Sequence, residues 1–474
     1  MDKSKKKISL GITNSRLKDA VFISLIIIVI FTLYHPMLNN YFFEDDFGNI
    51  LIVGRSNFIF SFSPRSSLWS YEYRPLKSLI WQLGYFLFGK NPAGYYLLNI
   101  IIHIINSILL FYLYNRFINN TFISFLSAVL FSVFKVHAEA TYWISAANIS
   151  FAAIFYLSCL LSFINFLKYR QKLYYVLALV CFFIGLFIHE NAVSLIAVLF
   201  FYEFLLRRRD GYSLRQAVKY LPFLLILCIY LILHWLTYIS SFQPSYSCAI
   251  GIQTLKNYLL MTRSFLCSLF WPDINTANLI STKGNFFIFG TAVISALLLL
   301  IIYGSGKLKF AALWFLLSYF PFAVIKGGFA FESRWTYLIA SAFIFLISMP
   351  LFQLYKFSNL INFKLLRLMV IIIFIYLISL NYIFTRSEEK KWENKGRLAK
   401  DILTQLKEKY PAIGEGDVLY LKNIPSGIPC EHIKYSVMLE YEIDHLSCIC
   451  DKQNLPLAFK NGERVHIFEY ADKN

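Results

Sequence analysis

The chain has 474 residues, of which 58% are hydrophobic, 19% aromatic and only 15% charged. This composition excludes an ordinary soluble globular domain and indicates a polytopic membrane protein. The formal net charge is +18, but the lysines and arginines lie in short clusters between apolar runs. That distribution is typical of topology signals and argues against a nucleic-acid partner.

The basic clusters predict how the chain is threaded through the membrane. The cluster before the first apolar run predicts a cytoplasmic amino end, and the first membrane helix is expected over residues 20–38. The later basic turns all face the cytoplasm if the chain crosses about 11 times. This requires the stretch 255–271, which contains Lys256 and Arg263, to be a re-entrant or interfacial helix on the outer side. Low Gly and Pro with abundant Ile, Phe, Lys and Asn suggests an AT-rich bacterial genome. The predicted location is therefore a bacterial inner membrane.

Composition divides the chain into two parts. Residues 1–386 are expected to form the membrane domain, with a first outer loop over 39–93, and residues 387–474 a small soluble domain on the outer side. The spacing of Leu398, Ile402 and Leu406 predicts a helix at the start of this second part. Strands are predicted at 417–421, 435–441 and 465–470. The predicted fold class is therefore an all-α polytopic membrane protein with a small α+β extracytoplasmic domain.

Three cysteines of this second part, Cys430, Cys448 and Cys450, would meet an oxidising compartment on the outer side. A disulfide such as Cys430 with Cys448 is compatible with their spacing.

An acidic triplet, Glu44, Asp45 and Asp46, directly follows the first predicted helix. Carboxylates at a membrane boundary are costly unless they serve a function. Two adjacent carboxylates repel each other by roughly 3 kcal/mol at an effective dielectric constant of ~20, which makes one aspartate a better proton acceptor than a free one. A hydroxyl group that attacks a sugar carbon needs such a base within hydrogen-bond reach.

Cations are predicted on the same outer side. A phosphate leaving group departs as an anion, so it needs positive charge and not a general acid. Arg74 in the first outer loop and Arg334 before a late membrane helix are the candidates. Carboxylates, arginines and a membrane-embedded site together favour transfer of a sugar from a lipid phosphate.

Several segments together form a recognisable pattern. They are Asp45-Asp46, Tyr73-Arg74-Pro75-Leu76, residues 87–99 followed by His103 and Asn106, His137-Ala138-Glu139-Ala140 before Trp143-Ile144-Ser145, and Glu332-Ser333-Arg334-Trp335-Thr336-Tyr337-Leu338. This pattern resembles the GT-C superfamily of membrane glycosyltransferases, within it the protein O-mannosyltransferase-like branch and the transmembrane-and-TPR O-mannosyltransferase-like branch. No TPR array follows the membrane region in this sequence. The resemblance implies a polyprenyl-phosphate-linked sugar donor, inversion at the anomeric carbon and a loop aspartate as base.

These observations assign a role to each candidate residue. Asp45 is the expected base, with Asp46 as its partner or alternate. Arg334 and Arg74 are expected to hold the donor phosphate with assistance from His137, and the supporting residues are Glu139, Glu332 and Glu44. No cofactor is required; an Mg or Mn ion held by Asp46 and His137 is compatible with carboxylates beside a phosphate. The expected partners are the lipid-linked donor, membrane lipids and a hydroxyl acceptor of a protein, lipid or glycan.

Two other functions share parts of this pattern. A flippase or transporter of lipid-linked sugars would use the acids as coupling sites, but such residues usually lie near the bilayer midplane and between repeats. A polysaccharide ligase or polymerase would use the same donor, with one large outer loop late in the chain.

Overall fold

The structure is a computed structural model that describes residues 2–54, 62–63, 73–207, 217–240, 247–248, 251–270, 283–326, 333–425, 428–450 and 464–471. The predicted supporting residue Glu332 lies outside these ranges.

Helices dominate the described chain. In order they are α1 (Asp2–Tyr34), α2 (Asp45–Val53), α3 (Pro75–Phe88), α4 (Pro92–Ile118), α5 (Thr121–Ser132), α6 (Ala138–Tyr142), α7 (Ala147–Tyr169), α8 (Lys172–Ile188), α9 (Leu195–Leu206), α10 (Leu221–Ser240), α11 (Ile252–Phe270), α12 (Lys283–Tyr303), α13 (Gly306–Ala323), α14 (Tyr337–Leu360), α15 (Lys364–Lys409) and α16 (Cys430–Tyr441). Short 3₁₀ turns join several of them, at Lys135–His137, Ile144–Ala146, Glu190–Ser194 and Ser333–Thr336.

Membrane-spanning helices are recognised by their length and apolar composition. In the described part of the chain, six helices qualify, or seven if the bent pair formed by Thr121–Ser132 and Lys135–Tyr142 is one span. The chain is thus a multi-pass membrane protein, while the count of about 11 crossings stays a prediction. Residues 255–270 of the proposed re-entrant segment are helical, in α11, but their place relative to the bilayer also stays a prediction.

Buried polar side chains join the membrane helices, as expected where hydrocarbon offers no other hydrogen-bond partner. The His103 ring lies with Nδ1 2.7 Å from the Tyr337 hydroxyl and Nε2 2.9 Å from the Ser132 carbonyl oxygen. Asn106 donates to the Ser150 carbonyl at 2.7 Å. These contacts tie α4 to α5, α7 and α14, and they agree with a structural role for His103.

Helix α15 connects the membrane helices to the carboxy-terminal segment without a break. It runs for 46 residues, so it passes through position 387, where the composition changes. Its Gly396 lies against the loop before α2, where an added Cβ would come within 2.0 Å of the Asn40 side-chain oxygen. Only glycine permits this approach.

Two short strands, β1 (Ser247–Cys248) and β2 (Ile325–Lys326), form an antiparallel pair. The carboxy-terminal segment contains a three-stranded parallel sheet with the order β4-β3-β5, in which β3 is Val418–Lys422, β4 Ser447–Cys450 and β5 Val465–Glu469. The predicted strands at 417–421 and 465–470 are confirmed. The predicted strand at 435–441 is wrong, because these residues belong to α16. Ile433 and Val437, one helical turn apart, are both buried, and this helical spacing outweighs the local strand propensity.

The disulfide pairing also differs from the expected one. Cys430 at the start of α16 is bonded to Cys450 in β4, and the Cys448 sulfur lies 3.7 Å from the Cys430 sulfur. Cys448 and Cys450 are two residues apart in a strand, so their side chains point to the same face. The bond ties α16 to the sheet.

A candidate glycosyl-transfer site

Asp45 and Asp46 begin α2, and the structure gives them different surroundings. The preceding residue, Glu44, has a positive φ of 52°, which is unfavourable for a residue with a side chain. This turn separates the two carboxylates: the Asp46 residue is 0% exposed, whereas the Asp45 side chain is 54% exposed. Only Asp45 is therefore open to a substrate.

The Asp46 carboxylate is held entirely by protein groups. It accepts hydrogen bonds from the Phe43 amide at 3.3 Å, the Ser145 amide at 2.9 Å and the Ser145 hydroxyl. Burial raises the pKa of Asp46 to about 8, although these donors act in the opposite direction. Asp46 thus joins the start of α2 to the 3₁₀ turn before α7, and this connection fixes the backbone beside Asp45.

Asp45 lies in a positively charged environment. A hydrogen bond from His432 of α16 lowers the pKa of Asp45, and the charges of Lys77 and Arg334 contribute in the same direction. The carboxylate therefore remains ionised at neutral pH. The increase in proton affinity expected for one of the two aspartates thus falls on Asp46 and not on Asp45. The charges of Lys77 and Arg334 also influence His189, so both Asp45 and the residue before the Glu190–Ser194 turn lie within the electrostatic reach of these two cations.

Arg334 is held in place by the residue expected to support it. Its Nη1 donates to Glu139 Oε1 at 3.0 Å and its backbone amide to Glu139 Oε2 at 3.0 Å. The Ser333 hydroxyl donates to the same oxygen at 2.9 Å, and the guanidinium lies 4.8 Å from the ring centroid of Trp143. The segment His137-Ala138-Glu139-Ala140 and the Ser333–Thr336 turn are thus joined through Glu139.

Arg74 has a different partner from the one expected. Its Nε donates to Glu190 Oε2 at 2.7 Å, and its Nη2 donates to Glu190 Oε1. Burial raises the pKa of Glu190, but the adjacent Arg74 charge outweighs this and holds the pKa well below its usual range. A bidentate pair of this kind mainly fixes α3 against the turn after α8. Phosphate binding by Arg74 stays a prediction.

His137 lies inside the helical core. Its ring is fully buried, with its centroid 4.3 Å from that of Phe131 and 4.4 Å from that of Tyr337. Phosphate binding by His137 stays a prediction. Glu44 pairs with Lys395 of α15 at 2.7 Å, which is a structural contact.

Across the described residues, no group of three or more His, Cys, Asp or Glu side chains is placed to hold a metal ion. A role for Mg or Mn therefore stays untested.

Sequence reasoning missed three members of this site. Lys77 stands one helical turn after Arg74 in the first outer loop and could have been found from that position. Glu190 lies in the outer turn after α8, but no local pattern identifies Arg74 as its partner. His432 lies in the segment read as a soluble domain, and nothing in its neighbourhood indicates a contact with Asp45.

Comparison with solved structures defines the class of fold. The chain superposes on ArnT from Cupriavidus metallidurans bound to undecaprenyl phosphate with a TM-score of 0.51 and 11% identity, over 90% of this chain and 85% of that one. The apo state of the same protein gives a TM-score of 0.52 at 12% identity, over 91% and 86%. The expected GT-C type of architecture is thereby confirmed.

Comparison with curated proteins adds a sequence relationship. The chain is 35% identical to human protein O-mannosyl-transferase TMTC1 over 103 residues, or 22% of this chain and 11% of that protein. It is 33% identical to human TMTC3 over 92 residues, or 19% and 10%. The chain thus spans about a tenth of the length of these relatives. No protein-family model matches it. The resemblance to O-mannosyltransferases is confirmed over about a fifth of the chain.

Asparagine at position 46 is expected to make the stability of the protein less dependent on pH. With a folded-state pKa of about 8, against an unfolded value of about 4, wild-type Asp46 favours folding in its neutral form. That contribution is lost as pH rises through about 8, since a charge must then be buried. The melting temperature of Asp46→Asn in detergent, relative to wild type, should therefore rise between about pH 5 and pH 9.

The matched control is Asp45→Asn. The pKa of Asp45 lies below its usual range, so its stabilising effect is already complete above the unfolded pKa. Its melting temperature relative to wild type should stay constant over the same pH range. An equally flat difference for Asp46→Asn would contradict the assignment of a buried, mostly neutral carboxyl group.

Proposed function

We propose that this protein is an integral-membrane glycosyltransferase that moves a sugar from a polyprenyl-phosphate carrier to a hydroxyl acceptor at the outer face of the membrane. The observation that carries the proposal is the half-exposed Asp45 carboxylate beside Lys77 and Arg334. Further support comes from the ArnT-like fold and from the similarity to proteins named O-mannosyl-transferases. The placement at the outer face rests on the basic clusters of the cytoplasmic turns.

In the proposed reaction, the acceptor oxygen attacks the anomeric carbon while the bond from that carbon to the phosphate oxygen breaks. The hydroxyl proton passes to the Asp45 carboxylate, and the polyprenyl phosphate leaves as an anion. A single displacement of this kind inverts the anomeric carbon. Asp45 supplies the base, which must lie within hydrogen-bond distance of the acceptor.

Arg334 is the proposed cation for the leaving phosphate. Glu139 and Trp143 fix its guanidinium before the substrate arrives, and preorganised charge of this kind stabilises a developing anion without further rearrangement. Lys77 adds positive charge that also acts on Asp45. Both would draw the phosphate toward the aspartate that receives the proton.

The function can be tested in two steps. Mass spectrometry of glycans and glycolipids, from cells with and without the protein, should show a sugar-bearing product that depends on it. Purified protein in lipid nanodiscs should then release undecaprenyl phosphate from one of a panel of undecaprenyl-phosphate hexoses, mannose included. Movement of the lipid-linked sugar across proteoliposomes without covalent transfer would favour a flippase instead.

A further inference from the structure

The carboxy-terminal segment reaches the Asp45 site through α16, which packs against α2. The Nε2 atom of His432, in the first turn of α16, lies 3.2 Å from Asp45 Oδ1. The His432 side chain is 21% exposed. A residue far outside the membrane helices is thereby in direct contact with the proposed base.

The position of His432 is fixed from several directions. Two residues before it, Cys430 is bonded to Cys450 of the sheet, and one residue after it, Ile433 is buried. Near the other end of α16, the Lys90 ammonium donates to the Leu439 carbonyl at 2.9 Å and to Glu442 at 2.7 Å. The imidazole therefore lies on a helix that is fixed near both ends.

The ring geometry decides which role His432 can have. Because Nε2 faces the carboxylate, it carries a hydrogen and donates it to Asp45. In the region covered by the structure, Nδ1 is buried and has no hydrogen-bond partner. It is thus not presented to a substrate, and His432 is not placed to act as the base itself.

We propose that His432 is a positioning residue for Asp45: it orients the carboxylate toward the acceptor, so that the carboxy-terminal segment completes the transfer site. This inference rests on the proposed function. The first turn of α16 reinforces the effect, since the positive end of a helix dipole favours a nearby carboxylate.

The contact predicts a change in pH dependence. The charged or titratable groups facing Asp45 are His432 of α16, Lys77 of α3, Arg334 of the 3₁₀ turn and the adjacent Asp46. The His432 hydrogen bond has the largest influence that lowers the pKa of Asp45. Asp45 accepts a proton only when ionised, so activity is present above its pKa and lost as pH falls through it. Removal of His432 should therefore shift the acidic limb of the pH–activity profile, where activity falls, to higher pH.

The test compares His432→Ala and His432→Gln with wild type, using the undecaprenyl-phosphate hexose that wild type turns over and undecaprenyl phosphate release as readout. Loss of a hydrogen bond to a charged group should lower kcat by about 10- to 100-fold in the alanine variant, with little change in KM for the donor. Glutamine, whose amide can donate, should restore part of the rate. His445→Ala, at an exposed histidine of the same segment, should behave as wild type.

A double variant separates positioning from general structural support. In an Asp45→Asn background, His432→Ala should lower the residual rate no further, because the carboxylate through which it acts is already gone. An equal further loss in that background would overturn the proposal. So would a wild-type rate and a wild-type pH profile in His432→Ala. If the alanine variant does not fold, the same result in His432→Gln would overturn it. Full activity of Asp45→Asn itself, or no turnover of any donor by wild type, would instead overturn the proposed function.

Discussion

Asp45→Asn is expected to lower transferase turnover by about 10²- to 10⁴-fold, which is the usual contribution of a positioned general base. Asparagine matches the size of the aspartate but cannot accept the acceptor proton. The Asp45 side chain is half-exposed, so the variant should fold and insert normally. Initial rates of undecaprenyl phosphate release in nanodiscs measure the effect.

The matched control for this variant is Asp19→Asn. Asp19 lies in α1, 15 residues before the carboxy end of that helix, which places it about 22 Å along the helix axis from that end. Its replacement should leave turnover unchanged. Wild-type turnover of Asp45→Asn would remove Asp45 as the base, and normal melting temperatures for both variants exclude a folding defect as the cause of any loss.

Arg334→Gln is expected to lower turnover by about 10²- to 10³-fold, because the donor phosphate would lose a preorganised cation where negative charge develops. Arg334→Lys keeps the charge but not the geometry of the guanidinium group that contacts both Glu139 and Trp143, so it should recover only part of the rate. Steady-state kinetics with varied lipid-linked donor measure both variants.

A second substitution distinguishes phosphate binding from a structural role of Arg334. If Arg334 served only to neutralise Glu139, then Glu139→Gln would rescue Arg334→Gln, since no unpaired carboxylate would remain. We expect no rescue of turnover, although the double variant should regain thermal stability. Recovery of the wild-type rate in the double variant would contradict the assignment of Arg334 to the phosphate.

The sequence was most informative where a feature depends on local composition. The apolar runs predict a multi-pass membrane protein, and the acidic triplet predicts where candidate catalytic carboxylates lie. Glu139 and Arg334 were both selected from their separate segments, and the structure joins them at 3.0 Å. Glu139 and Arg334 each lie in a short sequence motif, which explains why both could be selected from the sequence.

The exposure and the contact partners of the candidate site residues depend on packing that no local sequence pattern encodes. Asp45 and Asp46 are equivalent in sequence, yet one is half-exposed and the other fully buried, because the turn at Glu44 and the amide of Ser145 set their directions. The partner of Arg74 depends on how α3 meets the turn after α8. The contact of His432 with Asp45 depends on the fold of the carboxy-terminal segment, whose middle element was predicted as a strand and is a helix.

The unbroken α15 has a consequence for how the carboxy-terminal sheet is carried. Its 46 residues span about 69 Å at 1.5 Å per residue, more than twice the roughly 30 Å of a bilayer's hydrocarbon core. The number of residues in this continuous helix therefore sets both the distance and the rotation between its two ends. One residue inserted in the second half of α15 would rotate the part of the chain that follows it by about 100° and move it by about 1.5 Å along the helix axis. We therefore expect an inserted or deleted residue in α15 to disturb the contact between α16 and α2, whereas a flexible tether would absorb such a change.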